Sequence, residues 1–71
     1  MRKQYLRQRL LALREARHLT QQEVADGSGL ALRAYQNYER ALREPPLSAV
    51  IALADFYGLS LDELAGREAR A

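Results

Sequence analysis

Leu19-Thr20-Gln21-Gln22-Glu23-Val24-Ala25-Asp26-Gly27-Ser28-Gly29-Leu30-Ala31-Leu32-Arg33-Ala34-Tyr35-Gln36-Asn37-Tyr38-Glu39-Arg40 is the stretch on which the fold turns. Thr20 followed three residues later by Glu23 reads as a capping box, the hydroxyl accepting an orphan N–H of a new helix while the carboxylate reaches back to the backbone. Asp26-Gly27-Ser28-Gly29-Leu30 then offers two glycines for the positive φ angles of a tight turn. Another helix is expected from about Ala31 to Leu42. At 100° per residue, Tyr35, Tyr38, Glu39 and Leu42 fall on one side of it, the side expected to face a core. Arg33, Gln36, Asn37 and Arg40 gather opposite, with Leu32 on one flank and Ala34 and Ala41 on the other. That outward side holds the groups that read base edges: Arg can fork onto guanine O6 and N7, Asn or Gln can pair with adenine N6 and N7, and an apolar side chain can touch a thymine methyl. A merely solvated face would carry more Glu and Lys.

Working outward, Leu6, Leu10 and Leu13 recur at spacings of four and three, the period of one buried stripe on a first helix over about residues 4 to 17. Past the quoted stretch, Pro45-Pro46 forbids helix continuation and can open a fourth helix over about Leu47 to Tyr57. Gly58 suits the left-handed residue after its end, and Ser60 with Glu63 repeats the capping box for a short fifth helix whose apolar side is Leu61 and Leu64. There is no repeat, low-complexity tract or long linker. The expected fold is all-α: a compact five-helix bundle forming one domain over residues 1–71. Its core lies at about residues 6–66, between a short basic N-terminal extension and a frayed C-terminal tail.

Composition excludes several functions. Seventy-one residues leave room for one core and no second domain. With no cysteine and a lone His18 there is neither a disulfide framework nor a zinc ligand set, and no cofactor is implied. His18 reads as an ordinary helix-end residue. No nucleophile–base pair or carboxylate cluster suggests an enzyme. No apolar run approaches the roughly 18 residues of a membrane span, so a soluble cytoplasmic protein is expected. Charge is segregated: residues 1–17 carry Arg2, Lys3, Arg7, Arg9, Arg14 and Arg17 against Glu15, and residues 31–43 carry Arg33, Arg40 and Arg43 against Glu39. Residues 44–66 hold only the acids Glu44, Asp55, Asp62 and Glu63. That asymmetry suggests a basic surface facing a polyanion and a distal surface free for another partner.

Leu19-Thr20-Gln21-Gln22-Glu23-Val24-Ala25, Gly29-Leu30, Tyr35, Tyr38-Glu39-Arg40, Pro45 and Leu47 together resemble the phage-repressor and Cro type of helix-turn-helix regulator. The likeness continues through Ala52-Leu53-Ala54-Asp55-Phe56-Tyr57-Gly58-Leu59-Ser60-Leu61-Asp62-Glu63-Leu64, covering roughly residues 9–66. The resemblance implies that Gln21 meets a DNA phosphate, where the helix dipole also favours an anion, with Gln22 a further candidate. It implies base reading by Ala31, Leu32, Arg33 and Asn37, joined by Gln36 at the backbone or a flanking base. Arg40 and Arg43 become phosphate contacts. Leu32 has two readings, a thymine methyl contact or packing against the preceding helix. Tyr35 and Tyr38, which could be taken for base-stacking aromatics, lie on the core stripe, where Val24, Ala25 and Leu30 should meet them. Small Ala25 and Gly29 are expected to let the two helices approach closely. The resemblance also pairs Arg14 with Glu39, and Glu39 sits at an inward wheel position where an unpaired carboxylate would be costly.

Three positions depart from the common family pattern: Ala31 stands where Ser or Thr would cap the third helix, Ala41 where Gly often ends it, and Pro46 where Ser would cap the fourth. The third helix can therefore run longer than usual or begin differently. The function implied is sequence-specific binding of double-stranded DNA by a transcriptional regulator, a repressor more than an activator. It would act as a homodimer on a palindromic operator of the nucleoid. Phe56, Leu61 and Leu64 are candidates for the dimer surface, with contact to the fifth helix as the other reading of Phe56. RNA polymerase or another protein is a further candidate partner. The alternative function is a protein-interaction or antitoxin-like module using the surface of the fourth and fifth helices.

Overall fold

Five helices follow one another, with no strand among the described residues: α1 (Lys3–Ala16), α2 (Gln21–Ser28), α3 (Leu32–Glu39), α4 (Leu47–Tyr57) and α5 (Leu61–Ala65). The computed structural model describes residues 3–65, with side chains from Tyr5 onward. The frayed C-terminal tail and the first residues of the basic N-terminal extension, both expected from the sequence, lie outside the described residues. Both capping boxes form. Glu23 N–H donates to Thr20 Oγ1 at 3.1 Å while Thr20 N–H donates to Glu23 Oε1 at 2.8 Å. The Ser60–Glu63 pair repeats this at 3.0 and 2.8 Å.

Four helices end by the same device. The residue after the last turn takes a left-handed φ, at His18 (56°), Gly29 (72°), Ala41 (60°) and Gly58 (69°). The leucine that follows then donates its N–H back five residues: Leu19 to Arg14 at 3.0 Å, Leu30 to Ala25 at 2.9 Å, Leu42 to Asn37 at 2.9 Å and Leu59 to Ala54 at 2.8 Å. This closes the orphan carbonyls and swings an apolar side chain back toward the helix it has just left. Leu19, Leu30 and Leu59 use the swing to pack against the core, whereas Leu42 remains 66% exposed.

That exception corrects two sequence expectations. The third helix stops at Glu39 and does not reach Leu42, because Ala41 accepts the left-handed conformation usually left to glycine. Once the chain reverses there, the helical wheel no longer applies to Leu42, and the residue assigned to the core lies on the surface. The glycines are corrected as well. Only Gly29 of the pair has a positive φ; Gly27 lies within α2. A side chain on Gly29 would meet nothing within 4 Å, so its conformation and not a close approach requires glycine there. At Gly27 the reverse holds: an added Cβ would lie only 2.6 Å from Phe56 Cδ1 and still nearer Cε1, so the missing side chain makes room for the Phe56 ring.

The core joins one face of every helix. Leu6 and Leu10 of α1, Val24 and Ala25 of α2, Tyr35 and Tyr38 of α3, Ala49, Val50, Leu53, Ala54 and Tyr57 of α4 and Leu64 of α5 form one buried cluster. Each fully buried Leu or Val contributes roughly 1.5–3 kcal/mol relative to exposure. α1 packs on α3 and α5, α2 on α3 and α4, and α4 on α5. Leu64 is fully buried in this cluster and is removed from the candidate dimer surface. Phe56 is half-buried over Gly27 and stands edge-on to Tyr57, with ring centroids 4.9 Å apart. The contact found is with α2, where the sequence reading offered α5, and the exposed part of the ring keeps Phe56 a candidate for a partner surface. Leu61 is exposed, as are Leu47 and Ile51, one turn apart on α4.

Candidate nucleic-acid interface

α3, which follows α2 and its Gly29 turn, carries Arg33, Gln36, Asn37 and Arg40 on the side away from its buried residues. Arg33 and Arg40 are exposed, Gln36 and Asn37 half-buried, and the opposite side of α3 carries the buried Tyr35, Tyr38 and Glu39. Ala31, exposed, precedes α3 with an extended backbone and no side-chain cap. Leu32 is half-buried and packs against the core with part of its side chain still exposed. Arg43 is exposed in the segment after α3.

What fixes the pose of α3 is Glu39, a carboxylate only 4% exposed. Arg14 of α1 grips it in a two-pronged pair, Nε to Oε2 at 2.8 Å and Nη2 to Oε1 at 2.9 Å, and spends its remaining arm on the Leu19 carbonyl at 3.1 Å. The Tyr35 hydroxyl donates to Oε2, and Gln21 Nε2 donates to Oε1 at 2.9 Å. Four donors therefore meet the roughly four acceptor positions of one carboxylate. Burial pulls Glu39 toward protonation. The bonds from Arg14, then Tyr35 and Gln21, outweigh it and hold the carboxyl below the usual glutamate range. Burial, reinforced by the bond to Glu39, pushes the Tyr35 phenol far upward, so it stays a neutral donor.

Gln21, at the first position of α2, uses both ends of its amide. Its Oε1 accepts from Gln36 Nε2 at 3.1 Å while its Nε2 faces Glu39. The sequence reading missed this link. Its only trace in the sequence is that Gln36 and Glu39 stand one turn apart on the same helix. Gln22 spans a turn of α2 to donate to Asp26 Oδ1 at 2.8 Å.

The basic surface is smaller than charge counting suggests. Arg14 is committed to Glu39. Arg9 Nη2 donates to the Glu63 carbonyl at 2.8 Å, tying α1 to α5. Arg17 Nη2 donates to the Tyr57 carbonyl at 2.9 Å, at the last residue of α4, with its guanidinium carbon 5.1 Å from the centre of the Tyr57 ring. A cation there satisfies an orphan carbonyl and complements the helix dipole. These three arginines hold the bundle, leaving Arg33, Arg40 and Arg43 as the exposed cations on and just after α3. Among the described residues no His, Cys, Asp or Glu group could hold a metal ion, and no helix is long and apolar enough to cross a membrane.

Residues 10–64 match the family model described as helix-turn-helix. The HTH-type transcriptional regulator AnsR of Bacillus subtilis (strain 168) is 42% identical over 60 residues, covering 84% of this chain and 52% of the relative. The uncharacterized HTH-type transcriptional regulator YobD of the same organism is 39% identical over 59 residues, 83% of this chain and 53% of the relative. The cryptic phage CTXphi transcriptional repressor RstR of Vibrio cholerae is 44% identical over 52 residues, 73% of this chain and 47% of the relative. The chain thus spans about half the length of the curated relatives it matches. No solved structure matches it at the same stringency.

Proposed function

The chain belongs to the helix-turn-helix family of Cro and phage-repressor type, a family of non-enzymatic DNA-binding regulators, and from that premise we propose that it is a sequence-specific transcriptional repressor. In this reading α3 enters the major groove. Arg33 and Asn37 read base edges, with Ala31, Leu32 and Gln36 beside them, while Gln21, Gln22, Arg40 and Arg43 meet phosphates. The observation that carries it is the two-sidedness of α3. Arg33, Gln36 and Asn37 lie opposite a side closed by Tyr35, Tyr38 and the saturated Glu39, which supports a reading role on a helix anchored from behind. Repression is supported by the likeness to RstR, itself named a repressor.

The proposed assembly is a cytoplasmic homodimer on a palindromic operator of the nucleoid, with half-sites about 34 Å apart, one turn of duplex. Its candidate contact surface reduces to Leu61 and the half-buried Phe56, with Leu47 and Ile51 of α4 added, since these two are also exposed. Selection from a random-sequence duplex library, with sedimentation of the bound complex, tests the proposal. The expected result is an enriched motif with two-fold symmetry and two chains per site. Equally weak binding to all sequences would overturn it.

A further inference from the structure

We propose that Gln36 reads an adenine, and that it does so because a hydrogen-bond relay from the buried Glu39 carboxylate through Gln21 sets which end of the Gln36 amide faces the DNA. The inference rests on the DNA-reading role of α3 and adds to it both a base and the residue that positions the reader. A free glutamine side chain can turn its amide over and offer either end. Here the choice is forced in steps.

Ionised Glu39 can only accept, so the end of Gln21 that meets it at 2.9 Å must be the amino end. Gln21 Oε1 then faces away from Glu39, and what meets it at 3.1 Å must be the amino group of Gln36. Gln36 Oε1 is left as an acceptor, and no donor meets it among the described residues. The Gln36 amino group keeps one unused hydrogen. An acceptor beside a donor is the complement of adenine's N6 amino group and N7 in the major groove. Guanine and thymine offer Gln36 Oε1 no donor on that edge, and cytosine offers no acceptor for its N–H. Arg14 is what makes the first step secure, because it keeps Glu39 ionised. Gln21 is thus a positioning residue for Gln36, and its second amino hydrogen stays available for a phosphate.

The test compares base preferences from duplex selection for the full chain, Gln36→Ala, Gln21→Met and the double variant. Gln36→Ala leaves the Glu39 network untouched and should abolish an adenine preference at one position per half-site, a loss of roughly tenfold in discrimination. Gln21→Met should lose most of that same preference although Gln36 is present, and should weaken all sequences alike through the missing phosphate contact. The preference at the Arg33 position should be unchanged. The double variant should show no further loss at the adenine position. In the free protein, the Gln36 side-chain amide resonances should shift in Gln21→Met, a readout that needs no DNA. A purely uniform loss in Gln21→Met, or a base other than adenine at the position sensitive to Gln36, overturns this inference and leaves the regulator reading standing. A wild-type selection without any motif overturns both.

Discussion

Replacing Arg14 with methionine keeps much of the side-chain bulk between α1 and α3 and removes the only cation that Glu39 touches among the described residues. The carboxylate, 4% exposed, would keep the neutral donors of Tyr35 and Gln21 and lose both arms of the guanidinium. Removing one partner of a buried pair costs about 3–5 kcal/mol, and the two surviving donors place this site near 3 kcal/mol. For a chain of this size the total stability is roughly 4–10 kcal/mol, and each kcal/mol moves the midpoint by about 4–8 °C. The variant should therefore stay folded at 25 °C and melt at least 12 °C lower, roughly, by far-UV circular dichroism.

Acid gives the decisive comparison. In the wild type Glu39 is held below its unfolded pKa, so its contribution is full above the ordinary glutamate range and is lost as pH falls through the lower folded value. Without Arg14, the strongest influence opposing burial is gone and the folded value rises above that of the wild type. The variant then gains relative stability as Glu39 protonates. The gap between the two proteins in urea unfolding should be widest at pH 7 and should narrow toward about pH 4. A gap that stays constant from pH 7 to 4 would mean that the arginine stem and not its charge matters. A gap below about 1 kcal/mol would mean that the pair behaves as an exposed one.

Gly27→Ala should destabilise by about 1–2 kcal/mol despite the better helix propensity of alanine, since the new methyl meets the Phe56 ring, and Phe56→Leu should recover part of the loss; a higher melting temperature for Gly27→Ala alone would count against that packing. Ala41→Gly should stabilise by roughly 0.5–1 kcal/mol by relieving the left-handed φ of 60°, read in the same melts, and no gain would argue against the α3 ending described above. Arg43→Ala should lower the slope of log affinity against log salt by about 1 in fluorescence anisotropy. Arg17→Ala should leave that slope unchanged and lower the melting temperature, because its guanidinium is spent on α4.

Much of this protein was legible in one dimension because the signals are local. Thr20 with Glu23 and Ser60 with Glu63 announce helix starts through bonds that span three residues, and Leu6 and Leu10 announce a buried stripe through helical period alone. The two sides of α3 follow from the same 100° step, as long as the helix lasts. The failures begin where a residue's fate depends on another helix. Leu42 left the core because Ala41 turned the chain; Leu64 was absorbed into the core and Phe56 half-buried over α2; and Arg9 and Arg17, counted as surface charge, found carbonyls at distant helix ends. Nothing in the order of residues says that the amide of Gln21 lies between Glu39 and Gln36. Sequence by itself determined the order of the helices, the two sides of α3 and the family. Tertiary structure alone decided which polar groups remain free to meet DNA, because hydrogen-bond capacity is finite and each donor spent inside the fold is one the surface no longer has.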